Sequence, residues 1–315
     1  MRILFNKGNN GQAEIKALLG FLDKDLRFEN IVTDIELNTP GLIEFIGKEI
    51  YSKIEDFYYA DLPEAPTADQ LKMIRILKHA QLYILLLAYL EYAANADLMH
   101  GNSGRKIHHA ADEKTAWDWQ IASDNAALLR RGYKALDGLI DLLDSSDYPE
   151  WTGSDQYKES RSLFLYNTRN FDKAYPINNS GQLYYRMVPF MADVETETLR
   201  PILGADLFDV LKTKLKGSPT ADEKELILYC QKIQAYAVLE RACVLLPEEM
   251  TEKNINYKMK VAERDAQKEN RRRRLSDMAE KYKRDLQMIV ARLNEVDYEL
   301  NPTHGLDPDK NHVNL

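Results

Sequence analysis

His100, His108, His109 and Asp112 stand close together in the chain, and imidazole nitrogens with a carboxylate are the ligand set of a zinc site. Their spacing argues against one. Adjacent histidines such as His108 and His109 point in different directions on a helix or a strand, and the corresponding stretch of the second half, Glu248 to Tyr257, has no counterpart. The segment reads as a solvated loop between two long helices, so no metal is assigned. No Gly-rich phosphate loop, nucleophile elbow or HExxH pattern occurs, which removes the common catalytic signatures. The expectation is a protein that is not an enzyme and carries no cofactor. Cys230 and Cys243 lie on one helical stretch, roughly 20 Å apart along its axis at ~1.5 Å per residue. They cannot bridge each other, and this, with no secretory pattern at the start of the chain, fits folding in a reducing cytoplasm.

Arg271, Arg272, Arg273 and Arg274 form the most concentrated charge. They belong to a run, Arg264 to Asp285, with nine basic and five acidic residues. Four successive residues cover all sides of a helical turn, so this segment cannot be buried as a unit. Three uses are open to it: a solvated outer helix laced with i,i+4 ion pairs, an acidic protein partner, or DNA phosphate. No aromatic platform or base-reading motif accompanies it. The net charge of −8 makes the whole chain a poor general nucleic-acid binder. Trp117, Trp119 and Trp151 are expected to anchor packing, with an oligomer interface as the other use.

The elements that must position these groups are helices. Gly (14) and Pro (11) are scarce in 315 residues, which favours long helices over a turn-rich β fold. The longest apolar run, Leu82 to Leu90, is nine residues. A membrane span needs ~20, so the run belongs to a buried core helix, and the chain should be globular and soluble.

An internal repeat organises these helices. Pro66-Thr67-Ala68-Asp69-Gln70 recurs as Pro219-Thr220-Ala221-Asp222-Glu223, and Gln81 with Gln234 and Tyr83 with Tyr236 match at the same offset of 153. Each pentapeptide opens a helix: the Thr67 or Thr220 hydroxyl caps the first turn, while Gln70 or Glu223 reaches back to the cap's own N–H. Upstream, Thr39, Leu42, Phe45, Ile46 and Gly47 align with Thr196, Leu199, Ile202, Leu203 and Gly204. Gly47 and Gly204 are expected to stop a helix in the left-handed conformation. Downstream, Leu136, Ile140 and Leu143 align with Leu286, Val290 and Leu293 on an outer helix. Asn9-Asn10-Gly11 and Asn178-Asn179-Ser180-Gly181 are paired turns that start helices.

The fold class expected is all-α, a tandem of two helical-bundle units with an extended C-terminal arm. The first unit covers 1–148, a connecting turn and helix 149–177, the second unit 178–297, and the arm 298–315. Within the connection Ser154 to Phe171 reads as one helix. The arm has Pro302, Gly305 and Pro308 against helix continuation, and Leu300, Leu306, Val313 and Leu315 are spaced like single anchors for a partner.

This tandem of small helical units, with glycine turns, core helices, long outer helices and a C-terminal arm, resembles the head-to-tail connector (adaptor) ring proteins of tailed phages. The stretch Trp151 to Tyr157, then Phe171, Tyr175, Ile177-Asn178, Leu199, Gly204 and Leu207, is similar to uncharacterised neck proteins of Bacteroidetes phages and prophages, including the crAss-like phages. The resemblance implies a non-enzymatic ring of about twelve subunits. Such a ring is assembled in the host cytoplasm and placed in the virion neck, with no membrane contact. It docks on the portal protein and hands over to tail or further neck proteins, with DNA passing through the lumen without sequence-specific binding. Arg271 to Arg274, Leu300, Leu306, Val313 and Leu315 would then meet the portal or a neighbouring subunit. A bacterial helical-repeat scaffold or binding protein with no virion role is the second reading.

Overall fold

The computed structural model describes residues 2–22, 26–61, 63–101, 104–107, 117–245 and 261–300, and the side chains of all of these except 99–101, 104–107, 261–265 and 294–300. The fold is all-α. Among the described residues the exception is a small antiparallel hairpin, β1 (Leu98–Gly101) and β2 (Gly104–Ile107), with Leu98 opposite Ile107 and Gly101 opposite Gly104. The chain divides into two compact units. One runs to residue 158 and includes Asn179–Tyr185; the other comprises Glu159–Asn178 and everything described from Arg186 onward.

The first unit is built around α4 (Ala68–Ala96), which packs against α2 (Phe28–Ile46) and α5 (Asp118–Asp144), with α1 (Gly11–Leu19) and α3 (Lys48–Tyr59) also against it. A helix with neighbours on several sides must be apolar around most of its circumference. In α4, Met73, Ile76, Ala80, Tyr83, Ile84, Leu85, Leu86 and Ala88 are all buried. By contrast α5 buries a single stripe, Leu128, Leu136, Leu139, Ile140 and Leu143, the mark of a helix with one face to the core. By length and composition α4 is also apolar enough to cross a membrane, although half of its most apolar window is buried inside the protein.

The second unit repeats this plan. Its core helix α12 (Ala221–Leu245) packs on the long α13 (Val261–Leu300), and on α8 (Thr168–Ala174) and α11 (Ala205–Lys214). The contact stripe of α13 is Leu275, Ala279, Leu286 and Val290, all buried. On the core and outer helices Ile84, Leu86, Leu139, Val238 and Leu239 are buried, whereas Leu82 and Ile289 are half-buried.

Both repeated pentapeptides form complete capping boxes. Gln70 N–H donates to Thr67 Oγ1 (3.3 Å) and Thr67 N–H to Gln70 Oε1 (2.8 Å). In the second copy Glu223 N–H donates to Thr220 Oγ1 (3.3 Å) and Thr220 N–H to Glu223 Oε2 (2.7 Å). The glycine turns differ from expectation. Gly47 (φ 89°, ψ 152°) and Gly204 (φ 76°, ψ 158°) have positive φ but not the left-handed helical ψ. The reason is that each ends one helix and caps the next with no residue between. Gly47 N–H donates to Ile43 O and its carbonyl accepts from Tyr51 N–H, while Gly204 does the same with Arg200 O and Phe208 N–H. Only glycine visits this region freely.

Two other expectations are corrected. Ser154 to Phe171 is not one helix: α7 (Asp155–Ser162) stops, and α8 starts afresh with Asn167 as its N-cap. Between them Leu163, Phe164 and Leu165 are buried, so an apolar segment that could continue a helix enters the core as a non-helical, bent stretch. The Asn-rich turns both start helices but not equivalent ones. Asn9 and Asn10 precede α1, whereas Asn178 and Asn179, both with positive φ, precede α9 (Gly181–Val194), whose continuation aligns with α2.

Candidate interaction surface

In α13 the stripe anchored by Leu275 and Ala279 faces α12, which leaves the arginines around the remaining circumference. Arg271 and Arg272 are half-buried; Arg273 and Arg274 are exposed. Arg272 grips Glu269 with two parallel bonds, Nε to Oε2 at 2.9 Å and Nη2 to Oε1 at 3.1 Å, and extends Nη1 to Glu240 Oε1 at 3.4 Å. Arg273 Nε donates to Glu269 Oε1 at 3.1 Å. Donation first by Arg272 and then by Arg273 holds the Glu269 carboxyl well below the usual range, at about 2. Arg272 and Arg273 are thus ordered by their own helix. Among the described residues Arg274 has no ion-pair partner.

Arg271 and Arg274, one turn apart, border a cleft of about 410 Å³ whose other walls are Tyr175, Tyr236, Gln267, Asn270, Leu275 and Met278. Tyr175 is the C-cap of α8. Its ring meets that of Tyr236 edge-on, 5.4 Å between centroids, and Tyr236 in turn lies 5.5 Å from Tyr282. Burial, and then the neighbouring Tyr282 and Tyr175, push the Tyr236 hydroxyl up. The cleft is therefore lined by aromatic and aliphatic side chains together with two amides and two arginines. At the offset that aligns the outer helices, the two arginines correspond to Ile121 and Asp124 of the first copy, so the arginine pair belongs to the second copy alone. The sequence singled out the arginines but not the tyrosines, because Tyr236 matches Tyr83, which is a buried core residue.

A second set of groups meets at the segment before α8. Gln234 is fully buried; its Oε1 accepts from Leu165 N–H (3.0 Å) and its Nε2 donates to Met191 O (3.1 Å) and Glu195 Oε1 (3.0 Å). Glu195, in a π-helical turn Glu195–Leu199, also accepts from Phe164 N–H (2.6 Å) and pairs through Oε2 with Lys212 Nζ. Burial pulls the Lys212 ammonium down while Glu195 pulls it up. Burial likewise pushes the neighbouring Cys230 thiol up, which leaves it protonated and unreactive. Every member has a partner that fixes backbone, so this is a structural lock.

The tryptophans divide. Trp151 is fully buried and donates to Asp144 Oδ1 (3.0 Å), but Trp117 and Trp119 are 71% and 62% exposed at the start of α5, a correction to their use as packing anchors. His100 lies in β1 opposite Arg105, while His108, His109 and Asp112 lie outside the described residues. No group of three or more metal-ligating side chains occurs among the described residues. Leu300 is the last residue of α13, so the helix runs three residues into the arm expected at 298–315; Leu306, Val313 and Leu315 lie outside the described residues.

A family model described as a family of unknown function (DUF6712) matches residues 42–161 and 199–302, more than half of the chain. The chain belongs to this family. Within the DUF6712 match the two segments begin at Leu42 and Leu199, the same position of the two sequence copies, which is compatible with one family unit occurring twice. No curated protein and no solved structure matches the chain.

Proposed function

We propose that this DUF6712 chain is a structural head-to-tail connector of a tailed-phage neck. It would form a ring, most simply of twelve copies, seated on the portal and passing DNA through its lumen to the tail. The observation that carries the reading is the tandem of two all-α units with a long outer helix, α13, leading from the arginine group toward residues 301–315. The sequence resemblance to phage neck proteins supplies the context. The acidic balance of the chain suits a lumen that repels DNA and lets it slide. Trp117 and Trp119, two residues apart and both exposed, suit a protein interface, where tryptophan is enriched. The reading assigns no catalytic residue, metal or cofactor.

Native mass spectrometry of the full chain, alone and mixed with the portal protein encoded in the same genome, tests it. The expected result is a closed oligomer, alone or on the portal. A chain that stays monomeric in both and does not bind the portal overturns the reading in favour of a scaffold with no virion role.

A further inference from the structure

We propose that the outward face of α2 in one copy of this chain lies against the outward face of α13 in a second copy. α2 carries Glu29, Asp34, Glu36 and Glu44 and no lysine or arginine. Its buried stripe is Phe28, Ile31, Ile35, Thr39, Leu42 and Ile46, so helical spacing puts Glu29, Glu36, Leu37, Gly41 and Glu44 on the opposite side, and all five are exposed. Leu37 lies in the middle of this stripe and is 69% exposed. Gly41 sits in a helix interior, where glycine weakens the helix, yet a Cβ there would meet nothing within 4 Å. No contact inside the chain asks for a glycine at that place; the close approach of a second helix does.

α13 supplies the complement. Away from its buried stripe on α12 it presents Arg274, Lys281, Arg284, Met288 and Arg292, all exposed, at intervals of 7, 3, 4 and 4 residues that keep them on one side. Met288 is 64% exposed. Asp277 interrupts the cations, but Glu280 at the edge is held by Lys283 at 2.6 Å, so the face stays basic. Among the described residues none of Glu29, Glu36, Glu44, Arg274, Lys281, Arg284 or Arg292 has an ion-pair partner. The stripes also agree in length: Glu29 to Glu44 spans ~22 Å and Arg274 to Arg292 ~27 Å at ~1.5 Å per residue. With the helices antiparallel and Leu37 on Met288, Glu44 falls opposite Lys281, Gly41 opposite Arg284, and Glu29 within about one turn of Arg292.

Divergence of the two sequence copies makes the contact one-way. At the offset of 157 that aligns the glycine turns, Glu29, Leu37 and Glu44 correspond to Arg186, Val194 and Pro201, and Val194 is buried. At the offset of 150 that aligns the outer helices, Arg274, Met288 and Arg292 correspond to Asp124, Gly138 and Leu142. Each chain thus carries one acidic stripe and one basic stripe. The asymmetry extends to the whole sequence, since residues 1–158 hold the entire net charge of −8 and residues 159–315 are balanced. Like faces of two copies repel and unlike faces attract, which sets the direction of the contact. A contact in which one surface of each copy meets a different surface of the next is heterologous, and repeated with a closing rotation it gives a ring. The inference rests on the connector reading only for that closure; the contact stands on the two stripes.

The test is analytical ultracentrifugation of the full-length chain and of two charge reversals, Glu29→Lys/Glu36→Lys/Glu44→Lys and Lys281→Glu/Arg284→Glu/Arg292→Glu. The parent should self-associate as concentration rises, and less so as salt is raised. Each reversal alone should weaken association at least tenfold, and an equimolar mixture of the two variants should regain it, because each then offers the charge the other lacks. If a triple variant loses its helical circular dichroism, Leu37→Arg and Met288→Glu, single changes at exposed positions, replace the pair with the same expectations. A parent that stays monomeric at every concentration, association indifferent to both reversals, or a mixture that fails to regain it overturns the proposal. So does an α13 reversal that abolishes binding of duplex DNA and leaves self-association intact, which gives that face to nucleic acid. Chains that pair through these faces but close into no ring, alone or on the portal, sink the connector reading and keep the contact; a ring that forms equally well with either reversal does the reverse.

Discussion

Gln81 and Gln234 occupy the same place on the two core helices, and each uses its amide to hold the backbone of a segment distant in sequence. Gln81 Nε2 donates to Leu4 O at 2.6 Å, whereas Gln234 serves Leu165, Met191 and Glu195 together. Gln234→Leu should therefore be the costlier change, because it strands the buried Leu165 N–H as well as removing bonds; an unsatisfied buried donor costs ~1–3 kcal/mol. Urea unfolding checks this, and a Gln234→Leu variant as stable as the parent would refute the lock. The match of the two glutamines was legible in the sequence, but their partners were not, since both lie far off in the chain. His79 was not legible either. It packs against Gly138 with Nδ1 buried and unpartnered, and burial, with Lys78 and Arg75 adding to it, lowers its pKa from 6.5 although a bond to the Ala135 backbone opposes this. A base depressed in the folded state takes its proton first in the unfolded chain, so stability contributed at neutral pH is lost as pH falls below ~6.5. The melting temperature should drop between pH 7.5 and pH 5 more steeply in the parent than in His79→Gln. Comparison with that variant isolates His79 from Asp137, whose burial raises its pKa and so acts in the opposite sense at lower pH.

At the scale of elements, local chemistry was read correctly where it was local. The capping boxes need only residues three apart, and both formed; Thr67→Ala and Thr220→Ala should each lower stability by ~1 kcal/mol, measured by chemical denaturation. The glycine turns were found, but their ψ was not, because it is set by the helix that follows at once. A Cβ on Gly204 would meet nothing within 4 Å, so the demand there is one of backbone conformation. Gly204→Ala should consequently cost ~1–3 kcal/mol even though space is free, and a neutral substitution would show that the turn can relax. The break at 163–167 has no local signature in the sequence. Leu163, Phe164 and Leu165 read as a continuing apolar face, and only the distant Glu195 and Gln234, which take the Phe164 and Leu165 N–H groups, make a break in the helix the better solution there.

On the scale of the whole molecule, the repeat was legible because two copies of one plan leave matching residues at fixed offsets, and the family match that begins at Leu42 and Leu199 falls on the same correspondence. The cleft was not, because it arises where the copies diverge: Arg271 and Arg274 stand where the first copy has Ile121 and Asp124, and no comparison of like with like points there. Divergence of this kind gives one chain two different surfaces, which is what a head-to-tail contact requires and a two-fold dimer does not. It also separates folding from assembly. The cores described above are closed by α4, α5, α12 and α13, with Val290 the last residue of α13 described as buried, and the chain beyond Leu300 carries Leu306, Val313 and Leu315 among polar residues, too few apolar groups to add a core of its own. A chain ending at Leu300 should therefore keep its helical circular dichroism and its melting temperature while failing to co-assemble with the portal in native mass spectrometry. If it assembles as the full chain does, residues 301–315 dock on nothing; if its melting temperature falls by several degrees, they belong to the fold and the division between folding and assembly is wrong.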